Sequence, residues 1–90
     1  MNDPTPPGLD PRRRRLLYRA THRGTQEADL LVGGFVARHI ATMTEADLTA
    51  TESVLEHPDP DLADWLTGRR PVPPEADTPL LRRMCVAAGQ

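Results

Sequence analysis

The sequence predicts an all-α fold, a small bundle of about five short helices, and three observations carry that reading. Proline follows a capping residue three times, at Asp10-Pro11, Asp59-Pro60 and Thr78-Pro79. Each pair sets an oxygen acceptor at a helix start and a preset φ at the first helical position, where the missing N–H of proline costs nothing. Apolar residues recur at helical spacing, as in Leu80, Leu81, Met84, Cys85 and Ala88. No β-like alternation and no internal repeat competes with them.

The elements follow in order. A first helix from about Pro11 to His22 turns Leu16, Leu17 and Ala20 inward and stops at Gly24, which tolerates the left-handed conformation after a helix end. Thr25 caps the second, and Glu27 and Asp29 put negative charge in its first turn, where the helix dipole favours it. That helix extends through Leu30, Leu31, Phe35, Val36, His39 and Ile40 to about Thr42. Gly33-Gly34 is its weak point. Two interior glycines cost about 1 kcal/mol each relative to alanine, so they mark either a bend or the close approach of another backbone. Thr44 opens a third helix with Asp47 as a short capping-box acid and Met43 placed to staple onto Leu48, ending near Glu56. Asp59 opens a fourth through Leu62, Trp65 and Leu66 to Gly68. Residues 69–77, with Pro71, Pro73 and Pro74, read as an extended wrap. The last helix starts at Thr78. The Leu, Met and Trp positions named here are expected to form one core, with Trp65 as its anchor.

Ninety residues allow one small domain, with a core only just sufficient for independent folding. Residues 1–9, rich in Pro and Gly, read as a flexible N-terminal arm, and residues 10–90 as a single helical domain. A lone cysteine, Cys85, excludes an internal disulfide and reads as a packed small hydrophobe. With no apolar run long enough to cross a bilayer and no signal-peptide core, the chain is expected to be soluble and cytoplasmic, without direct membrane insertion.

The net charge of −2 conceals three zones. Residues 1–24 carry six Arg against two Asp, residues 25–64 one Arg against nine acids, and residues 65–90 four Arg against two acids. The run Arg12-Arg13-Arg14-Arg15 therefore has two readings, a basic patch for an anionic partner or a first turn paired with the acidic face of the same domain.

Catalytic constellations are absent from the pattern. His22, His39 and His57 form no His-x-x-x-His pair and have no thiol nearby, Ser53 stands alone inside a helix, and Gly24 lacks the companions of a phosphate-binding loop. No metal site and no enzyme is predicted. Locally, Arg23 reads as a last-turn cation, Gly24 as a helix stop and Glu27 as a first-turn acid.

The string Arg23-Gly24-Thr25-Gln26-Glu27, followed by Asp29, the apolar Leu30-Leu31-Val32 and then Asp59-Pro60-Asp61-Leu62-Ala63-Asp64-Trp65-Leu66, resembles the small flavinylation and assembly factors of succinate dehydrogenase. The resemblance runs from roughly Arg14 to Met84. It implies an all-helical helper that binds the flavoprotein subunit of succinate dehydrogenase or fumarate reductase and promotes covalent attachment of FAD to a histidine of that partner. It further implies that FAD is carried by the partner, with no cofactor held stably here, and that Arg19, Arg23, Gly24, Glu27 and Asp29 lie on the partner-binding surface. The family tends to show one Gly where Gly33-Gly34 stands, and many members carry a larger apolar residue at Ala28. Two other classes compete. A nucleic-acid-binding module would use Arg12 to Arg15, against the repulsion of nine acids and a pI near 5.8. A generic helical adaptor would bind a partner without any effect on flavin.

Overall fold

The computed structural model describes residues 8–89. Helix α1 spans Pro11–Thr21. Helix α2 is a continuous run over residues 26–42, built from α-helix Gln26–Ala28, a π-helical turn Asp29–Gly33, α-helix Gly34–His39 and a 3₁₀ turn Ile40–Thr42. Helices α3 (Glu45–Leu55), α4 (Asp59–Leu66) and α5 (Pro79–Ala87) follow, with a 3₁₀ turn Pro74–Ala76 before α5. The all-α bundle expected from the sequence is the fold observed, and no strand occurs among the described residues.

Local chemistry accounts for most boundaries. Asp10 caps α1 by accepting from the Arg13 N–H at 3.3 Å, Thr25 caps α2 by accepting from Ala28, and Thr78 caps α5 by accepting from Leu81. The capping box of α3 closes in both directions, with Asp47 N–H donating to Thr44 Oγ1 at 3.1 Å and Thr44 N–H to Asp47 Oδ2 at 3.2 Å. Asp59 departs from its expected role. Pro58 holds the N-cap position of α4, Asp59 is the first helical residue, and its carboxylate is taken by Arg23 instead. The wrap over 69–77 is likewise not wholly extended, because Pro74–Ala76 coils into a 3₁₀ turn that buries Ala76.

The π turn was not anticipated. Ala28, Val32, Val36 and Ile40 are all buried, yet a spacing of four drifts about 40° per step around an ideal α-helix. The wider turn at Asp29–Gly33 reverses part of that drift and keeps the stripe on the core. Leu30, which was expected in the core, stands 67% exposed, because two residues from buried Ala28 and Val32 a helix already turns a side chain about 200° away from both. Of the two readings for Gly33-Gly34, close approach holds at Gly33. A Cβ there would meet the Ala20 carbonyl oxygen at 2.8 Å and Thr21 Cα at 3.1 Å, whereas at Gly34 it would meet only the end of Arg38 at 3.6 Å.

One core unites all five helices. Leu17, Val36, Ile40, Leu62 and Leu81 are each at most 1% exposed, and Trp65 sits among them at 6% in a T-shaped contact with the His57 ring, 5.0 Å between centroids. Helix α1 lies along α2 and touches α3, and α5 closes against α3 and α4. Residues 1–7 of the expected arm lie outside the described residues, while Leu9 is buried in the core at 7% exposure. Among the described residues, no helix is long and apolar enough to cross a membrane.

Two of the four arginines of the run are paired with carboxylates of the domain. Arg12 bonds Glu52 at 2.8 Å, Glu45 at 3.0 Å and Thr49 at 3.2 Å. Arg13 bonds Asp10 and the carbonyls of Ile40 and Met43, and Arg14 bonds the Leu9 carbonyl. The guanidinium of Arg12 holds the Glu52 carboxyl below its ordinary pKa. Pairing with the acidic face is realised at Arg12, while Arg14 and Arg15 stay exposed.

Candidate functional site

The turn between α1 and α2 carries the Arg-Gly-x-x-Glu string, and its residues divide into two groups. Gly24 has φ +103°, and a Cβ added to it would meet nothing within 4 Å. Glycine is therefore required here by backbone conformation and not by crowding. Glu27 lies in the first turn of α2, outward, as its position beside the helix N-terminus allows.

Arg23 points the other way. Its side chain is 10% exposed and its guanidinium is fully engaged, by the Asp59 carboxylate, the Leu55 carbonyl at 3.0 Å and the His57 carbonyl at 2.6 Å. Those carbonyls lie at the C-terminal end of α3, which the helix dipole makes negative, and Asp59 opens α4. One cation thus joins the α1–α2 turn to the α3–α4 junction. The Arg23 N–H donates to Asp29 Oδ1 at 2.7 Å, so Asp29 is also committed to the turn. Arg23 and Asp29 were expected on the partner-binding surface. Their polar groups are instead occupied beneath it, because three backbone and carboxylate acceptors converge where the guanidinium can desolvate at little cost. Arg19, one turn earlier, extends along the exterior to Glu56 at 2.9 Å.

Around Glu27 runs a surface network that the sequence pattern did not disclose. Arg69 bridges Glu27 and Asp64, each at 3.1 Å, while Arg70 bonds Asp64 at 2.8 Å and Asp61 at 2.6 Å. The two guanidiniums, Arg70 first, hold the Asp64 carboxyl below its usual range. Glu27 stands on the rim of two depressions. One, of about 390 Å³, is lined by Gln26, Leu30, Leu31 and Thr67, and the other, of about 280 Å³, by Thr25, Asp59, Pro60, Ala63, Asp64 and Arg69. Asp59 was expected only to open its helix, and Asp61 and Asp64 have no partner in the sequence pattern. Nothing in the sequence pairs them with Arg69 and Arg70, which follow a glycine stop and belong to a proline-rich segment. Chemically, the arrangement offers a glycine turn, an exposed carboxylate at Glu27 and an apolar wall, which suits recognition of another surface.

Residues 14–88 match the family described as "Flavinator of succinate dehydrogenase". The chain is 59% identical over 76 residues to a protein of Acetobacter pasteurianus named FAD assembly factor SdhE, covering 84% of this chain and 70% of that one. It is 39% identical over 70 residues to the mitochondrial succinate dehydrogenase assembly factor 2 of Dictyostelium discoideum, covering 78% and 50%. A third relative, mitochondrial succinate dehydrogenase assembly factor 2-A of Drosophila ananassae, is 42% identical over 77 residues, covering 82% and 49%. The chain thus spans about half the length of these mitochondrial relatives. With three quarters and more of its residues matched and its Arg-Gly-x-x-Glu turn intact, the chain belongs to the succinate dehydrogenase flavinylation factor family.

Proposed function

We propose that this protein is an assembly factor that binds the flavoprotein subunit of succinate dehydrogenase or fumarate reductase and promotes covalent attachment of FAD to that partner. The names of the relatives support the reading. The observation that carries it is the split within the motif: Arg23 and Asp29 brace the turn from below, leaving Gly24 and Glu27 outward on an open surface. A braced turn presents its contacts without an ordering cost at the moment of binding.

The bond-forming chemistry belongs to the flavin and the protein enclosing it, so the helper acts by favouring a partner conformation in which the reacting atoms are aligned. It works as an accessory factor in the cytoplasm and is not itself an enzyme; FAD stays with the partner. The nucleic-acid reading loses part of its motive, since two of the four arginines of the run, Arg12 and Arg13, are held by Glu45, Glu52, Asp10 and backbone carbonyls. The test is co-expression of the chain with the flavoprotein subunit, followed by denaturation and detection of flavin fluorescence on the partner polypeptide. Fluorescence that requires this chain supports the proposal. Equal flavinylation without it refutes the proposal.

A further inference from the structure

Leu30 faces away from the buried stripe, two residues from both Ala28 and Val32. Among the described residues, three large apolar side chains are mostly exposed, Tyr18 at 64%, Leu30 at 67% and Val86 at 69%. Tyr18 is stacked on the His22 ring at 4.0 Å, and Val86 lies in the last turn of α5, beside Phe35 and Arg83. Leu30 faces outward beside Glu27 and walls the 390 Å³ depression with Leu31 and Thr67. Beside it three carboxylates, Glu27, Asp61 and Asp64, are bridged by two guanidiniums, Arg69 and Arg70, which leaves one net negative charge, so a docking surface of complementary charge is basic.

Resting on the assembly reading above, we propose that this depression is a docking subsite for one apolar side chain of the flavoprotein subunit, flanked on that partner by basic residues. Leu30 supplies the contact wall and Glu27 the charge at its rim. Because Leu30 contributes little burial to the folded monomer, its replacement separates docking from folding.

The test uses the purified chain and the purified flavoprotein subunit without covalent flavin, with affinities from calorimetric titration and melting temperatures of each variant. Leu30→Ser should weaken binding by about tenfold or more with the melt unchanged, and Val86→Ser, on another face, should bind within about twofold of the parent. Raising NaCl from about 50 mM to about 500 mM should weaken parent binding severalfold. A Leu30→Ser variant that binds like the parent overturns the subsite and leaves the assembly reading standing. Equal losses from Leu30→Ser and Val86→Ser also overturn it, as would a salt-independent affinity. A parent chain that does not bind the subunit at all overturns the assembly reading and the subsite with it.

Discussion

Replacing Arg23 with alanine is expected to unfold much of what a surface contact would leave untouched. The side chain is 10% exposed and its guanidinium serves Asp59, the Leu55 carbonyl and the His57 carbonyl together. Removing one member of a buried ion pair costs about 3 to 5 kcal/mol when the other charge is stranded. Asp59 keeps a side-chain exposure of 20% and recovers some hydration, which reduces the expected loss to about 2 to 4 kcal/mol. A domain of this length has about 5 to 13 kcal/mol in total, and each kcal/mol moves the melt by about 4 to 8 °C. Arg23→Ala should therefore melt about 10 to 30 °C below the parent by circular dichroism. Arg23→Lys should recover only part of the loss, since a point charge cannot reach three acceptors as a planar fork does. A double-mutant cycle with Asp59→Asn should show strong coupling. An Arg23→Ala protein that melts within a few degrees of the parent would show that the guanidinium is free in solution and that Arg23 is available to a partner after all.

Three other perturbations have defined outcomes. Gly24→Ala should cost about 1 to 2 kcal/mol through its positive φ alone, while Gly24→Arg should keep its helicity yet lose complex formation with the flavoprotein; binding at parental strength would place the docking surface elsewhere. Gly33→Ala should cost about 1 to 3 kcal/mol by overpacking, because its Cβ would press on the Ala20 carbonyl, and chemical denaturation reads that loss directly. Asp10, Glu52, Asp64 and Asp77 all have carboxyls held below their ordinary values by arginine partners. Depressed folded values mean that their stabilisation is present in full above the unfolded pKa, about 4, and is lost as pH falls through the folded values. The melting temperature should be level between about pH 5 and 7 and fall below about pH 4, with a shallower fall in high salt; a melt that rises on acidification would contradict these pairs.

Much of the fold was legible because helix starts are local chemistry. Asp10-Pro11, Thr25, Thr44 with Asp47, and Thr78-Pro79 each cap from within a few residues, and the caps form as the pattern implies. Trp65 as a core anchor was legible for the same reason, since a large aromatic in an apolar helix stripe has few other places to go. Failures came where the deciding partner is distant in sequence. Arg23 looks like an exposed last-turn cation until α3 delivers the Leu55 and His57 carbonyls to it, across 32 and 34 residues. Asp59 reads as a cap until that same guanidinium claims its carboxylate. Leu30 reads as core when it is grouped with its apolar neighbours, although its place two residues from both Ala28 and Val32 sets it about 200° from each. At the site itself, Gly24 and Glu27 were readable from turn and dipole chemistry, but the network of Arg69 with Glu27 and Asp64 was not.

Glu27 gives the most direct test of the proposed role, because stability and function make opposite demands on it. Its pair with Arg69 is exposed, with side-chain exposures of 46% and 55%, and such pairs contribute about 0 to 1 kcal/mol. Loss of an interfacial charge, in contrast, can cost about 2 kcal/mol or more in affinity. The measurement takes parent and Glu27→Ala on the same preparations, recording melting temperature and denaturation-resistant flavin fluorescence of the flavoprotein subunit at limiting concentrations of this chain. Glu27→Ala should melt within a few degrees of the parent and support little covalent flavinylation. A normal melt with full flavinylation would contradict the role assigned to this surface.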